Sequence, residues 1–170
     1  IEFSDDEEQN LESIFKIGLM HAKRGKPQDA IFYFDKVLLV EPRHLNALIY
    51  KGNALGKLGK YEDAIAIYNK VLSVEPNHVI CLLNKGLAFH YLKKYHEAIT
   101  CYDAALSQSP EDANVLYHKA CSLALENKTD EAILTLEKSI TLDTQYVEKA
   151  LGDMDFTNLR NDNRFKSLTS

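Results

Sequence analysis

The strongest constraint on what this chain can fold into is a period of 34 residues. An acidic residue followed by Ala-Ile occurs as Asp29-Ala30-Ile31, Asp63-Ala64-Ile65, Glu97-Ala98-Ile99 and Glu131-Ala132-Ile133, each copy 34 residues after the last. Pro42, Pro76 and Pro110 keep the interval, as do Gly18, Gly52 and Gly86 and the ring-bearing Phe34, Tyr68 and Tyr102. A period of this length marks an array of small units, none of which buries its apolar faces alone, so neighbours must stack to build a core. The fourth copy drifts to Ala120, Leu136 and Thr144, as expected of a terminal unit with a neighbour on one side only.

Inside the second copy Leu45, Leu48, Ile49, Leu55 and Leu58 fall near helical spacing, and Ala64, Ile67, Tyr68, Val71 and Val74 do so again, which predicts two amphipathic helices per copy. Gly59-Lys60 supplies a turn between them, matched by Gly25-Lys26-Pro27, where Pro27 suits the opening of the second helix. The recurring prolines end each second helix, because proline removes a backbone donor and biases its predecessor away from helical angles. The small residues Gly18, Gly52, Gly86 and Ala120 are expected to face Ala30, Ala64, Ala98 and Ala132 and let the paired helices approach closely, while the aromatic at the next turn fills the space between copies.

These residues resemble the tetratricopeptide repeat, the 34-residue helix-turn-helix unit. The resemblance implies an all-α fold, a right-handed α-solenoid of antiparallel helix pairs, and a protein of prokaryotic type. It divides the chain into an acidic helix start (1–10), four repeats (11–44, 45–78, 79–112 and 113–146) and C-terminal capping helices (147–170). The family's tryptophan near the start of each repeat is replaced by Ile14, Leu48, Leu82 and Leu116. Ser4-Asp5-Asp6-Glu7 reads as a capping box at the first helix. The tail Asp155-Phe156-x-x-Leu159-Arg160-x-Asp162-x-Arg164-Phe165 resembles the closing segment of many bacterial and archaeal members. Phe156, Leu159, Phe165 and Leu168 are expected to cover the apolar edge of the last repeat, with Arg160, Asp162 and Arg164 in water.

No P-loop, nucleophile elbow, GxGxxG or HExxH is present, so no catalytic residue or cofactor is expected. His44, His78 and His96 sit at helix starts, where capping or surface roles suffice, and His21 takes a core or edge position. His118 and Cys121 share a helix face, and with His90 they form a possible zinc cluster, ranked below the reading as a polar groove wall. The resemblance places the ligand-facing residues of a concave groove on the first helix of each repeat. These are Phe15 and Leu19; Asn46, Ile49, Tyr50 and Asn53; Leu83, Asn84, Leu87, His90 and Tyr91; and Asn114, Tyr117, His118 and Cys121. That lining suits a protein or peptide with an apolar or amphipathic segment, its anchors held between Phe15, Ile49, Leu83, Leu87 and Tyr117 and its amides paired to the asparagines.

The carboxylate clamp by which members of the family hold chaperone C-terminal tails is only half present. Asn53 and Asn84 match its asparagines, but Ile49, Asn114 and His118 stand where its cations belong, so such tails are not expected to bind. A non-catalytic protein-binding scaffold is therefore the leading expectation. Self-association through groove or cap comes second, and a metal-bearing or enzymatic module last.

Composition excludes other classes. At 45% hydrophobic and 26% charged, with every apolar run broken within a few positions, the chain is neither disordered nor membrane-spanning. Ile1-Glu2-Phe3 does not read as a signal peptide, and the absence of an initial Met suggests a natural start elsewhere. Cys81, Cys101 and Cys121, spaced by 20 with no CxxC pair, fit a reducing cytoplasmic setting. The net charge of -5 is carried by residues 1–10 alone, while the four repeats run +2, +1, -1 and -2. The groove positions lack the clustered Lys and Arg that nucleic acid requires.

Overall fold

The computed structural model describes residues 5–170, with side chains from residue 9. The expected capping box rests on Ser4 and the Glu7 side chain and lies outside the described residues. The described residues form helices joined by short turns, without strands, in an α-solenoid of helix pairs. They fall into two compact units, one ending at Pro76 and the other running from Asn77 to Ser170.

The first unit holds α1 (Asp5–Lys23), α2 (Pro27–Val40), α3 (Leu45–Lys57) and α4 (Tyr61–Leu72), with α1 on α2, α2 on α3 and α3 on α4. Pro27 opens α2 as expected. The core of α1 and α2 gathers Leu11, Phe15, Ala30, Phe34, Val37 and Ala47. The second unit holds α5 (Val79–Tyr91), α6 (Tyr95–Gln108), α7 (Ala113–Leu125), α8 (Thr129–Leu142) and α9 (Gln145–Gly152). A 3-10 helix (Met154–Leu159) and α10 (Asn163–Leu168) close it, packed on α7 and α8 respectively.

The close approach at the glycines has a different partner from the one expected. A Cβ built on Gly18 would lie 2.6 Å from Phe34 Cε1; on Gly52, 2.6 Å from Tyr68 Cε1; and on Gly86, 2.4 Å from Tyr102 Cε1. Each glycine therefore faces the aromatic ring 16 residues downstream, in the partner helix of its own pair. At the fourth position the two partners change together: Ala120 and Leu136 are both fully buried. A ring needs a partner without a Cβ, whereas a leucine leaves space for a methyl. The drift of the fourth copy is thus a compensated exchange as well as a mark of position.

The turn within each pair imposes a second constraint. Gly25 (φ 70°), Gly59 (φ 73°), Lys93 (φ 59°) and Asn127 (φ 60°) occupy the same place in successive pairs, and all four are left-handed. Glycine reaches that region freely, asparagine tolerates it, and lysine pays roughly 1–2 kcal/mol. Three first helices are capped by the side chain just before them. His44 Nδ1 accepts the Ala47 amide at 3.1 Å, His78 Nδ1 accepts the Cys81 amide at 3.2 Å, and Asp112 accepts the amides of Asn114 and Val115 at 3.0 and 3.1 Å. The capping role of His44 and His78 requires a neutral ring protonated at Nε2.

Two ion pairs repeat at twice the period. Lys51 meets Asp35 at 2.6 Å between α3 and α2, and Lys119 meets Asp103 at 2.6 Å between α7 and α6. Their signal in the sequence is the 34-residue interval of Lys51, Lys85 and Lys119, each directly before the small residue of its pair.

The glycine–ring contact predicts a measurable coupling. Gly18→Ala should destabilise the fold by roughly 1–2 kcal/mol, overpacking outweighing the gain in helix propensity. In combination with Phe34→Leu the loss should fall short of the sum of the single losses by at least about 0.5 kcal/mol, read from urea denaturation midpoints; additive losses would show that the contact does not set the spacing. At the turn, Lys93→Gly should raise stability by about 1 kcal/mol, visible as a higher melting temperature.

Candidate functional site

The residues expected to line a groove divide sharply by accessibility. In the first unit Phe15 and Ile49 are buried and Leu19 is half-buried, so they form a floor rather than a contact surface. Phe15 stands edge-on to Tyr50 at 5.9 Å between ring centroids and lies beside the His44 ring at 5.2 Å. Asn53 is half-buried and accepts the Tyr68 hydroxyl at 2.7 Å, which occupies part of its hydrogen-bonding capacity. What solvent reaches is Tyr50, 41% exposed, and Asn46 one turn before it.

The second unit departs further from expectation. Leu83 is buried, Asn84, Leu87 and His90 are half-buried, and Tyr91 is 60% exposed. Tyr117 is fully buried, and Cys121 is 2% exposed. Their cover is the chain's own C-terminal segment. The Tyr117 hydroxyl donates to Asp153 Oδ2 at 2.7 Å, its ring stacks on Tyr146 at 4.8 Å, and Phe156 meets it edge-on at 5.8 Å. Lys149 Nζ lies 4.5 Å from the centre of the same ring. The Tyr146 hydroxyl donates to Asn114 Oδ1 at 3.3 Å. Phe15, Ile49, Leu83 and Tyr117, expected as ligand anchors, are all buried, and Tyr117 and Cys121 face this segment.

The segment is held by charge as well as by packing. His90 Nε2 lies 3.0 Å from Asp155 Oδ2, and His90 Nδ1 is hydrogen-bonded to Ser122 Oγ at 2.8 Å. Asp153 also caps the 3-10 helix, its Oδ1 accepting the Asp155 amide at 3.0 Å. The Arg160 guanidinium donates to the carbonyls of Leu151 and Asp153 at 2.6 and 3.0 Å. Asp162 caps α10, and Arg164 joins it to Asp130 of α8 at 2.8 Å. Arg160, Asp162 and Arg164, expected simply in water, thus fasten the closing segment, while Phe156, Leu159 and Phe165 are buried in one cluster with Tyr117, Ile133 and Leu136 as expected. The sequence signal for this arrangement is the pair Asp153 and Asp155 bracketing Met154 ahead of Phe156, read from sequence only as a helix interruption.

Burial governs the ionisation of this face. It pushes the Cys121 thiol up, assisted by the Asp153 and Asp155 carboxylates. The Tyr117 hydroxyl is raised by burial and by its bond to Asp153. His118 is lowered to about 4, by burial first and then by its neighbours Lys149 and His90. The His90, His118 and Cys121 grouping of the sequence analysis is therefore only partly assembled: His90 turns to Asp155, and Cys121 Sγ lies 3.8 Å from Asp153 Oδ2.

A neutral buried histidine makes stability depend on pH. The folded pKa of His118 lies below its ordinary value of 6.5, so its contribution is complete above 6.5 and is lost as pH falls towards 4. The loss should amount to at most about 3 kcal/mol. Chemical denaturation at pH 7 and pH 4.5 should show it, and His118→Gln should flatten the difference; an unchanged slope would place the acid sensitivity elsewhere.

No curated protein matches the chain significantly. The sequence family described as anaphase-promoting complex, cyclosome, subunit 3 matches residues 23–105, and the tetratricopeptide repeat family matches residues 83–146. Among solved structures, residues 41 to the end of MamA from Desulfovibrio magneticus RS-1 superimpose with a TM-score of 0.80 at 26% identity, covering 93% of this chain and 88% of that one. TTC0263, a thermophilic tetratricopeptide repeat protein of Thermus thermophilus, shares the fold with a TM-score of 0.76 at 16% identity, covering 93% and 87%. With the glycine–ring pairs and the recurring left-handed turn, these matches show a helical-repeat fold like that of tetratricopeptide repeat proteins, with residues 83–146 matching that family's own pattern.

Proposed function

We propose that the chain is a non-catalytic scaffold that binds a protein partner through the inner face of α1 and α3 in the first unit. The observation that carries this reading is the accessible Tyr50 beside exposed Asn46, over a floor of Phe15 and Ile49. A ring and an amide on a rigid, apolar-backed helix face suit a partner with an apolar or amphipathic segment. The ring supplies contact area at low entropic cost, and the amide pairs with a backbone group. The four-repeat division, the cytoplasmic setting and the exclusion of chaperone tails belong to the same proposal. The last follows from Ile49, Asn114 and His118 at the cation positions of the clamp. No helix among the described residues is long and apolar enough to cross a membrane.

A specific observation also favours self-association. On α2 Phe32 is 56% and Leu39 83% exposed, seven residues apart on one helix face, where α4 carries Ala66 and Ser73 and α6 carries Thr100 and Ser107. This apolar pair suits a second copy.

The scaffold reading is tested with a panel of labelled amphipathic helical peptides titrated by fluorescence anisotropy. A peptide that binds the chain should bind Tyr50→Asp at least about tenfold more weakly, with the melting temperature unchanged. A peptide ending in acidic residues and a free carboxylate should not bind. Equal affinity for the variant, or tight binding of the acidic tail, would overturn the reading. Light scattering of Leu39→Glu beside the unaltered chain separates the second reading, which requires an oligomer that this change dissolves.

A further inference from the structure

The C-terminal segment brings two carboxylates to a thiol, with an imidazole beside one of them, a donor set that neither the repeat pattern nor the scaffold reading uses. Single donor atoms of Cys121, Asp153 and Asp155 all lie within 4.8 Å of one another. His90 Nε2 is 3.0 Å from Asp155 Oδ2. Donors around a tetrahedral zinc stand roughly 3.3–3.8 Å apart, so a contraction of about 1 Å brings the trio to that spacing. The thiol is 2% exposed and aimed at Asp153 at 3.8 Å, an arrangement with no role in capping the 3-10 helix.

We propose that Cys121, Asp153 and Asp155 bind a single zinc ion, with His90, which stands beside Asp155 but outside the spacing of the trio, turning in as the fourth donor. Sulfur and imidazole donors select zinc over the hard, oxygen-seeking calcium and magnesium. Two of the four donors are already held from outside, as the ligands of built metal sites are. Ser122 Oγ fixes His90 at Nδ1 and leaves Nε2 inward, the Tyr117 hydroxyl holds Asp153 Oδ2, and the Asp155 amide holds Asp153 Oδ1. The metal would join α5 and α7 to the segment after α9, so its binding would be read in the stability of the closing segment.

The test uses the whole chain, saturated with zinc sulfate, dialysed against metal-free buffer and assayed for zinc per chain. One equivalent is expected, reduced several-fold in Asp155→Asn, with the melting temperature of the unaltered chain rising on zinc addition. A cobalt-loaded sample should show a thiolate-to-metal absorption band that Cys121→Ser loses. A folded chain that retains no stoichiometric zinc, or a cobalt complex without the thiolate band, would overturn the proposal. So would Asp155→Asn retaining zinc as the unaltered chain does. The first two outcomes stand even where a variant fails to fold.

Discussion

The architecture depends on a place where a Cβ is missing. At Gly18, Gly52 and Gly86 an aromatic edge occupies the volume that any other side chain would need, at 2.4 to 2.6 Å from the absent atom. That contact sets how near the two helices of a pair stand, and hence where the small and large residues on their other faces fall. Because protein interiors are close-packed, the spacing of one pair propagates to every apolar position along it. The fourth position reaches the same end with Ala120 and Leu136, trading ring for methyl.

Much of this was legible in the sequence because it is periodic. Helix pairs, the turn at Gly25 and Gly59, the proline stops and the apolar closing residues all recur or follow a pattern that one-dimensional spacing records. The exact partner of each glycine was not, since Ala30 and Phe34 lie one turn apart on the same helix and spacing alone does not say which ring edge reaches across. Nor does spacing show that Lys93 holds a left-handed turn, because lysine carries no signature of that conformation.

The candidate site was less legible for a physical reason. A repeat pattern assigns the inner face of each first helix by symmetry, and symmetry fails at an end. Tyr117 and Cys121 occupy inner-face positions by count, but the chain continues past the last pair and lays Asp153 and Phe156 upon them. Phe15 and Ile49 keep their places and lose their exposure, whereas Tyr50 and Asn46 stay open to solvent. Burial on one face and exposure on the other follow from what each helix meets next, which no single unit encodes.

The central claim is that the closing segment is part of the second unit's core, sealing the inner face of α7. Native-state hydrogen exchange followed by mass spectrometry tests it most directly. The amides of the 3-10 helix and α10 should open with the same free energy as those of α7 and α8, as one cooperative unit. Exchange of residues 154–168 well before α7 and α8 would contradict it, showing a segment that leaves the face open while the helices beneath stay folded.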